Sequence, residues 1–292
     1  MTKKIGLGKA HSKIILMGEH SVVYGYPAIA LPLKNIEVVC QVTKGSHPLK
    51  LDVTDPLAMA IFAALEHLKK QEERLEFHIQ SQVPKKRGMG SSAAVAIAAI
   101  RGVFDYFEEE LSLETLEYLV NQAEMIAHTN PSGLDAKACL SEVAIKFIRN
   151  MGFSEVALNL DAHLLIADTG VYGHTSEAVE KVKQLGAQAL PLLQQLGDLA
   201  EVAEKSISTG QLKELGESMF VAHEVLKRLG VSSSECDHLV SIAKSQGAIG
   251  AKMTGGGLGG CIIALVKSQE KADKLSSLLK KEGAVNIWME KL

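Results

Sequence analysis

Glycine and serine residues precede a strongly apolar segment near residue 90, and this pattern suits the binding of an anion. The stretch Pro84-Lys85-Lys86-Arg87-Gly88-Met89-Gly90-Ser91-Ser92 leads into Ala93-Ala94-Val95-Ala96-Ile97, a run of helix formers without a polar face. Glycine lets a backbone approach a ligand closely, and the first amides of a helix have no partner inside it. The stretch therefore predicts a phosphate cradle. A plain loop with a serine N-cap is the alternative, and the Walker A pattern is absent from the sequence.

Two carboxylates follow this stretch at positions where they could hold a metal or accept a proton. Glu124 lies at the edge of the apolar stripe of a helix predicted over 113–128, and a carboxylate beside a buried face usually has a partner. Asp135 ends the segment Asn130-Pro131-Ser132-Gly133-Leu134-Asp135, which predicts the first turn of a short helix. From the residues alone, Glu124 could equally be a half-exposed surface residue, and Asp135 could mark only a helix start.

Further polar residues lie beside glycines elsewhere in the chain. Lys13 begins an apolar strand that ends in Gly18-Glu19-His20, and the Glu-His pair at that tip indicates a site. A lysine beside a strand is usually only a solvated strand end. Thr175 ends a glycine-hinged loop and could simply be the N-cap of the next helix. The run Gly255-Gly256-Gly257-Leu258-Gly259-Gly260 predicts a backbone packed against a ligand or against the cradle.

The elements that must position these residues mix strands and helices. Strands are predicted at 13–17, 28–33, 36–42, 75–82, 142–148, 163–167, 261–266 and 285–289. Helices are predicted over 56–68, 93–107, 113–128 and 270–281, and a mostly helical block over 176–245 has breaks near Gly186, Gly197, Gly210 and Gly230. Asp55 and Pro56 mark one helix start as N-cap and first helical residue. No linker-like stretch occurs, so a domain boundary near residue 160 would be a packed junction.

The composition bounds the class of protein. A chain of 292 residues with 47% hydrophobic content can bury a large core in one large or two medium domains. A net charge of −3 and 4% aromatic residues give no reason to expect a nucleic-acid partner. Four cysteines without a Cys-x-x-Cys pair predict reduced core residues. No signal peptide or membrane-spanning run is predicted, which indicates a cytoplasmic protein with no membrane partner.

Three segments together resemble the small-molecule kinases of the galactokinase, homoserine kinase, mevalonate kinase and phosphomevalonate kinase superfamily. Lys13–Gly25 is similar to the first motif, Pro84–Ala94 to the phosphate-binding second motif, and Lys252–Cys261 to the glycine-rich third motif. Met89 stands in place of the usual leucine, and Leu258 interrupts the last glycine run. Both departures keep the backbone plan of the motifs.

Within the superfamily, the resemblance is closest to the mevalonate kinases. The segment Gly18-Glu19-His20-Ser21-Val22-Val23-Tyr24-Gly25 and the segment ending in Asp135, with Glu124 at the matching upstream position, both resemble that branch. The resemblance implies an α+β, two-domain small-molecule kinase fold. An N-terminal ATP-binding domain over 1–160 would carry a left-handed β-α-β unit, a ferredoxin-like C-terminal domain would cover 161–292, and the active site would lie in the cleft between them.

The resemblance also implies an activity. It is the ATP-dependent phosphorylation of the terminal (C5) hydroxyl of mevalonate in isoprenoid precursor biosynthesis, with ATP and Mg²⁺ as cofactors. Phosphomevalonate kinase, another small-molecule kinase of the superfamily, and a non-catalytic nucleotide or ligand sensor are the alternatives. The presence of both Lys13 and Asp135 disfavours the sensor. A homodimer is left open.

The resemblance assigns a role to each candidate residue. Asp135 would be the base and Lys13 its electrostatic helper, while Ser92 and Glu124 would bind Mg²⁺. Glu19, His20 and Thr175 would lie on the substrate side. The residues that would bind the nucleotide are Pro84, Gly88, Met89, Gly90, Ser91, Ser92 and Ala93.

Overall fold

The computed structural model describes residues 4–50, 52, 55–127 and 133–292, so the predicted Asn130-Pro131-Ser132 turn lies outside the described residues. The strands are β1 Ile5–Met17, β2 Ala28–Lys44, β3 Leu75–Ser81, β4 Ala144–Ile148, β5 Gly152–Val156, β6 His163–Asp168, β7 Gly250–Thr254, β8 Cys261–Val266 and β9 Asn286–Lys291. The helices are α1 Pro56–His67, α2 Ser91–Phe107, α3 Leu113–Ala127, α4 Leu134–Leu140, α5 Thr175–Gln184, α6 Leu190–Thr209, α7 Leu212–Arg228, α8 Ser234–Ser245 and α9 Gln269–Lys281. Short 3₁₀ turns cover Ser21–Tyr24 and Gly186–Gln188.

Contacts divide the chain into two compact units made of interleaved segments. Unit 1 contains Met1–Lys13, Pro32–Lys85 and Gly90–Glu142. Unit 2 contains Ile14–Leu31, Lys86–Met89 and Val143–Leu292. Strands β1 and β2 therefore contribute residues to both units. An interleaved division does not test a single boundary near residue 160, which stays a prediction.

Unit 1 is built on the buried helix α2. Helices α1, α2 and α3 pack on one another, and the end of β2 pairs antiparallel with β3. The apolar face of α2 is continuous, with every residue from Ala96 to Ile100 buried. Gly8 of β1 lies so close to α2 that a side chain there would overlap the helix backbone. The predicted start of α1 is confirmed, because the Asp55 carboxylate accepts the Leu57 amide at 3.3 Å and Pro56 is the first helical residue.

Unit 2 contains a four-stranded antiparallel sheet in the order β7-β8-β6-β9. All six residues of β8 are buried. The chain order β6, helices, β7, β8, α9, β9 with this strand order is the ferredoxin-like arrangement that the resemblance implied. Elsewhere in the unit, the first residues of β2 pair with β4, and β4 pairs with β5. The predicted α+β class is confirmed.

Three predicted boundaries were wrong. Strand β1 begins at Ile5 rather than Lys13, because its first residues alternate between exposed and buried with glycines on the buried side. Strand β2 continues through Pro32, where two separate strands were predicted. Gly197 lies inside α6 and does not break it, because the ring of Tyr26 packs where a side chain would stand.

The structure bears on two predictions that were made from composition. The four cysteines are all buried and free, which confirms their prediction as reduced core residues. Among the described residues, no helix combines the length and apolar character needed to cross a membrane.

Candidate active site

The amino terminus of α2 supplies the predicted anion cradle in unit 1. Gly90 is the N-cap of this helix, with φ of 70° and ψ of 28°, and among the described residues no side chain caps the first turn. The serine N-cap alternative is thereby excluded, because Ser91 and Ser92 are the first two residues of the helix itself. The first amides are left to a ligand, and the positive end of the helix dipole favours an anion there.

Lys13 and Asp135 form an ion pair within unit 1. Nζ of Lys13 lies 2.8 Å from Oδ1 of Asp135, with side-chain exposures of 2% and 38%. Strand β1 carries the lysine into the core, and Asp135 occupies the first turn of α4, as predicted. The pair therefore combines a buried cation with a carboxylate that solvent or a ligand can reach. A carboxylate in this position can accept a proton from a bound hydroxyl.

Cys139 lies close to both members of this ion pair. The pKa of its thiol is raised by burial first, while Lys13 lowers it and the carboxylates of Asp135 and Glu124 raise it, so all three charged groups lie near one sulfur. The Cys139 thiol contacts the Gly90 carbonyl at 3.8 Å. A Cβ on Gly90 would lie 2.9 Å from Cγ of Lys13 and 3.0 Å from Sγ of Cys139. Glycine at position 90 is therefore required both by the positive φ and by the space that Lys13 occupies.

The oxygen donors of Ser92 and Glu124 suit magnesium. The hydroxyl of Ser92 is buried and has no hydrogen-bond partner among the described residues, and the Glu124 side chain is buried on α3. Within the described part of the chain, no three His, Cys, Asp or Glu side chains gather as a metal cluster. Magnesium in kinases is usually bound by one or two protein oxygens together with substrate phosphates and water. The two residues fit that role, which stays a prediction.

The preceding part of the cradle belongs to unit 2 and packs on the glycine-rich third motif. A Cβ on Gly88 would lie 2.9 Å from Cα of Gly255, so the two backbones are in direct contact. The predicted packing of the glycine run against the cradle is confirmed. The Gly173 amide also donates to the Lys86 carbonyl at 2.8 Å, and the His174 amide donates to the Gly257 carbonyl at 3.1 Å.

Arg87 ties this part of the cradle to the end of β6. Its Nε lies 2.6 Å from Oδ1 of Asp168, and both side chains are almost fully buried. Nη2 donates to the Gly170 carbonyl at 3.0 Å, and the guanidinium lies 4.4 Å from the ring centroid of Tyr172. Arginine is suited to this position because its planar fork can bond and stack at once.

Glu19 and Lys252 form a buried ion pair in unit 2. Nζ of Lys252 bonds Oε1 of Glu19 and donates to the Met253 carbonyl at 2.7 Å. Burial lowers the pKa of Lys252, and the adjacent Glu19 carboxylate opposes this effect. A buried charge that has lost its partner would cost several kcal/mol, on the order of 3–5, so each member of the pair holds the other in place.

His20, next to Glu19, is a buried neutral imidazole. Burial first, and then the charge of Lys252, lower the pKa of His20 to about 4, while a hydrogen bond with the Gly256 backbone acts in the opposite direction. A backbone group that raises a histidine pKa is an acceptor, so the Gly256 carbonyl accepts a hydrogen bond from a ring N–H of His20. Nε2 of His20 has no hydrogen-bond partner among the described residues. The ring is held with its backbone at φ of 63°, an uncommon conformation for a residue other than glycine.

Thr175 is exposed and begins α5. The N-cap of this helix is His174, so the alternative that Thr175 serves as N-cap is wrong. A Cβ at Gly256 would overlap the Thr175 hydroxyl, so the threonine lies directly on the third motif. The Thr175 side chain and His20 therefore both border Gly256 and Gly257 within unit 2.

The structure thus gathers the predicted residues into two groups. Unit 1 holds Lys13, Pro84, Gly90, Ser91, Ser92, Ala93, Glu124 and Asp135, and unit 2 holds Glu19, His20, Gly88, Met89 and Thr175. The side chains of Met89 and Ala93 are buried, so a contact of either residue with a nucleotide would have to be made by its backbone. The role of each residue stays a prediction.

Four further residues contact the predicted site residues or the cradle but were not predicted as site residues from the sequence. They are Arg87, Cys139, Asp168 and Lys252. Arg87 lies within the second motif and Lys252 within the third, and this position was the only sequence feature that could have marked them as site residues. Their partners could not be inferred, because Lys252 pairs with a carboxylate 233 residues away and Arg87 with one on another element.

Comparisons with known proteins agree with this arrangement. The GHMP kinases N-terminal domain matches residues 57–142, and the GHMP kinases C-terminal domain matches residues 198–285. The mevalonate kinase of Pyrococcus horikoshii is 30% identical over 97% of this chain and 94% of its own length. The chain therefore belongs to the GHMP kinase family.

Solved structures indicate which group of that family this chain is similar to. Mevalonate kinase from methicillin-resistant Staphylococcus aureus is 30% identical, with a TM-score of 0.76 over 99% of both chains. The L. major mevalonate kinase, solved in complex with R-mevalonate, is 26% identical, with a TM-score of 0.85 over 100% of this chain and 96% of that one. The chain is an enzyme of the mevalonate kinase group.

Proposed function

We propose that the enzyme transfers the γ-phosphoryl group of ATP to the terminal hydroxyl of mevalonate. The observation that carries the proposal is the Lys13–Asp135 ion pair, which presents a reachable carboxylate on a buried ammonium. The same unit carries the uncapped amino terminus of α2, which suits the phosphates of ATP. Two relatives that this chain matches over 94% and 96% of their length are mevalonate kinases, which supports the choice of substrate.

Asp135 acts as the base in this proposal. Its carboxylate takes the proton of the terminal hydroxyl while that oxygen forms a bond to the γ-phosphorus and the bond from phosphorus to ADP breaks. Lys13 stabilises the negative charge that develops on the attacking oxygen and on the transferring group. Phosphoryl transfer depends chiefly on positioning and charge stabilisation, so one base and one buried cation are an adequate set.

Ser92 and Glu124 are proposed to hold magnesium together with the nucleotide. The buried hydroxyl of Ser92, which has no partner in the described part of the chain, and the buried carboxylate of Glu124 support this assignment. Magnesium, when bound, neutralises phosphate charge and orients the γ-phosphoryl group. Ser91 is the matched neighbour, because it also lies in the first turn of α2 and has no proposed contact with the metal.

His20, Glu19 and Thr175 are proposed to act on the substrate side. Because burial keeps His20 neutral, its Nε2 can accept a hydrogen bond from a substrate hydroxyl rather than bind a carboxylate as a cation. Thr175 is an exposed residue beside the third motif, and its hydroxyl can donate to the substrate. Glu19 is bonded to Lys252 and contributes by holding the Glu19-His20 turn in place.

A coupled ADP-release assay tests the proposal with mevalonate, phosphomevalonate, homoserine and galactose. A site built on polar contacts rejects analogues that leave its groups unpaired, so homoserine and galactose should be at least about 10³-fold poorer in kcat/KM. Faster turnover of phosphomevalonate or galactose would overturn the substrate assignment. Nucleotide binding without turnover of any of the four would instead identify a sensor. The cytoplasmic location stays a prediction from the sequence.

A further inference from the structure

Strand β7, which leads into the third motif, lies at the edge of the sheet of unit 2. It is hydrogen-bonded to β8 on one side, and α7 packs against it. The approach of helix and strand is very close, because a Cβ at Gly250 would lie 2.5 Å from Cα of Gly216 on α7. An edge strand leaves backbone groups without a ladder partner, and buried backbone amides must find another acceptor.

His223 of α7 supplies that acceptor for one residue of β7. The Met253 amide donates to Nδ1 of His223 at 3.3 Å, and the ring is only 2% exposed. Because Nδ1 accepts this bond, the proton of the neutral ring lies on Nε2. Nε2 faces Oδ1 of Asp237 on α8 at 3.2 Å, although the contact is not aligned as a hydrogen bond. The Ser232 hydroxyl fixes the same Asp237 oxygen by donating to it at 2.7 Å.

The backbone of Met253 connects this histidine to the buried ion pair. The Met253 amide bonds His223, and the Met253 carbonyl accepts from Nζ of Lys252 at 2.7 Å. Lys252 in turn bonds Glu19, whose neighbour in sequence is His20. Asp237, His223, Lys252 and Glu19 therefore form a continuous chain of polar contacts through β7.

We propose that His223, whose Nε2 faces Asp237, is a positioning residue that fixes the Met253 backbone and thereby the Glu19–Lys252 pair beside His20. The proposal rests on the proposed function insofar as Glu19 and His20 act on the substrate side. His223 itself touches neither substrate nor nucleotide in this assignment. Its loss should therefore alter KM for mevalonate more than kcat or KM for ATP.

Three substitutions separate the two polar contacts of the ring. In His223→Asn the amide oxygen can stand near the position of Nδ1 and accept the Met253 amide. In His223→Gln the polar group lies near the position of Nε2, so Met253 loses its acceptor. His223→Phe removes both polar contacts while keeping an aromatic ring. The matched control is His238→Phe, which removes an exposed histidine of α8 that pairs with Glu282.

The kinetic expectation follows from the cost of an unpaired buried amide. His223→Gln and His223→Phe should raise KM for mevalonate by about tenfold, whereas His223→Asn should raise it by less than about threefold. His238→Phe should leave both KM values unchanged. If His223→Gln lowers the melting temperature but keeps KM for mevalonate at the wild-type value, the role of His223 is merely structural and the proposal fails.

A spectroscopic measurement keeps this test separate from the substrate assignment. ¹⁵N chemical shifts of the histidine rings in the wild-type protein at neutral pH report which nitrogen carries the proton. A proton on Nε2 and a bare Nδ1 at His223 are expected, and a proton on Nδ1 would overturn the proposal. If the wild-type enzyme fails to phosphorylate mevalonate, the proposed function falls, while the ring measurement still decides whether His223 accepts the Met253 amide.

Discussion

Gly90→Ala should separate the effect of backbone strain from the effect of displacing Lys13. At φ of 70° an alanine costs about 1–2 kcal/mol of stability, because the left-handed conformation crowds Cβ. The new Cβ would also lie 2.9 Å from Cγ of Lys13, and about 0.5–1 Å of movement is needed to reach ordinary contact near 3.5 Å. A misplacement of about 1 Å can cost about 10² in rate, so we expect kcat to fall about 10- to 100-fold.

The matched control is Gly230→Ala, because Gly230 has φ of 73° and a Cβ added there would meet no atom within 4 Å. Gly90→Ala should lose at least as much stability as Gly230→Ala in thermal or denaturant unfolding, since both carry the same backbone cost and only position 90 is crowded. Only Gly90→Ala should lose kcat in the coupled ADP assay. Adding Cys139→Ala to Gly90→Ala removes one of the two crowded contacts and should restore part of the lost rate.

A Gly90→Ala enzyme that keeps kcat within about threefold of Gly230→Ala at equal loss of stability would refute this reasoning. That result would mean that the Lys13 side chain yields without disturbing its ion pair with Asp135. A large loss of kcat that Cys139→Ala does not relieve would assign the effect to the cradle amides instead.

Three further predictions concern the proposed roles. Asp135→Asn, nearly isosteric, should lower kcat by about 10²–10⁴ in single-turnover assays with little change in ATP affinity, and a loss below about tenfold would remove Asp135 as the base. Glu124→Gln and Ser92→Ala should raise the magnesium concentration for half-maximal rate, whereas Ser91→Ala should not; an unchanged magnesium titration in both would contradict the metal assignment. Burial and Lys252 lower the pKa of His20 to about 4 from 6.5, so the unfolded chain binds more protons than the folded one between these values and stability falls as pH drops through that window. His20→Gln should flatten this fall in denaturant titrations by at most about 3 kcal/mol, and an unaltered pH slope would contradict the assignment.

Most of the local structure around the site could be predicted from the sequence. Asp55 with Pro56 marked a helix start because an N-cap acceptor and a fixed φ act within two residues. The buried helix α2 followed from an unbroken apolar run, and the glycine run over 255–260 indicated a backbone packed against a ligand or against the cradle. Each of these features depends on residues close together in sequence or on composition alone.

What the sequence did not provide depends on contacts between distant segments. Gly197 lies in the interior of α6, where the ring of Tyr26 packs against it. The apolar periodicity of the helix could not predict this contact, because Tyr26 belongs to a distant segment. Glu19 was predicted as a substrate-side residue without its partner Lys252, since a pairing across 233 residues leaves no local pattern. The role of His223 could not be predicted, because recognising it as an acceptor requires knowing that α7 packs against the edge strand β7.

The interleaving of unit 2 has a consequence for how the protein emerges from the ribosome. Ile14–Leu31 leave the exit tunnel early, but the remainder of their unit begins at Val143 and continues to the end of the chain, apart from the short segment Lys86–Met89. Until Lys252 has been synthesised, Glu19 lacks its ion-pair partner. Until β8 and β9 have been synthesised, β6 lacks the two strands that pair with it. Because synthesis proceeds at about 5–20 residues per second, this segment waits for many seconds before its unit can close. Unit 2 therefore cannot close until its last strands have been synthesised.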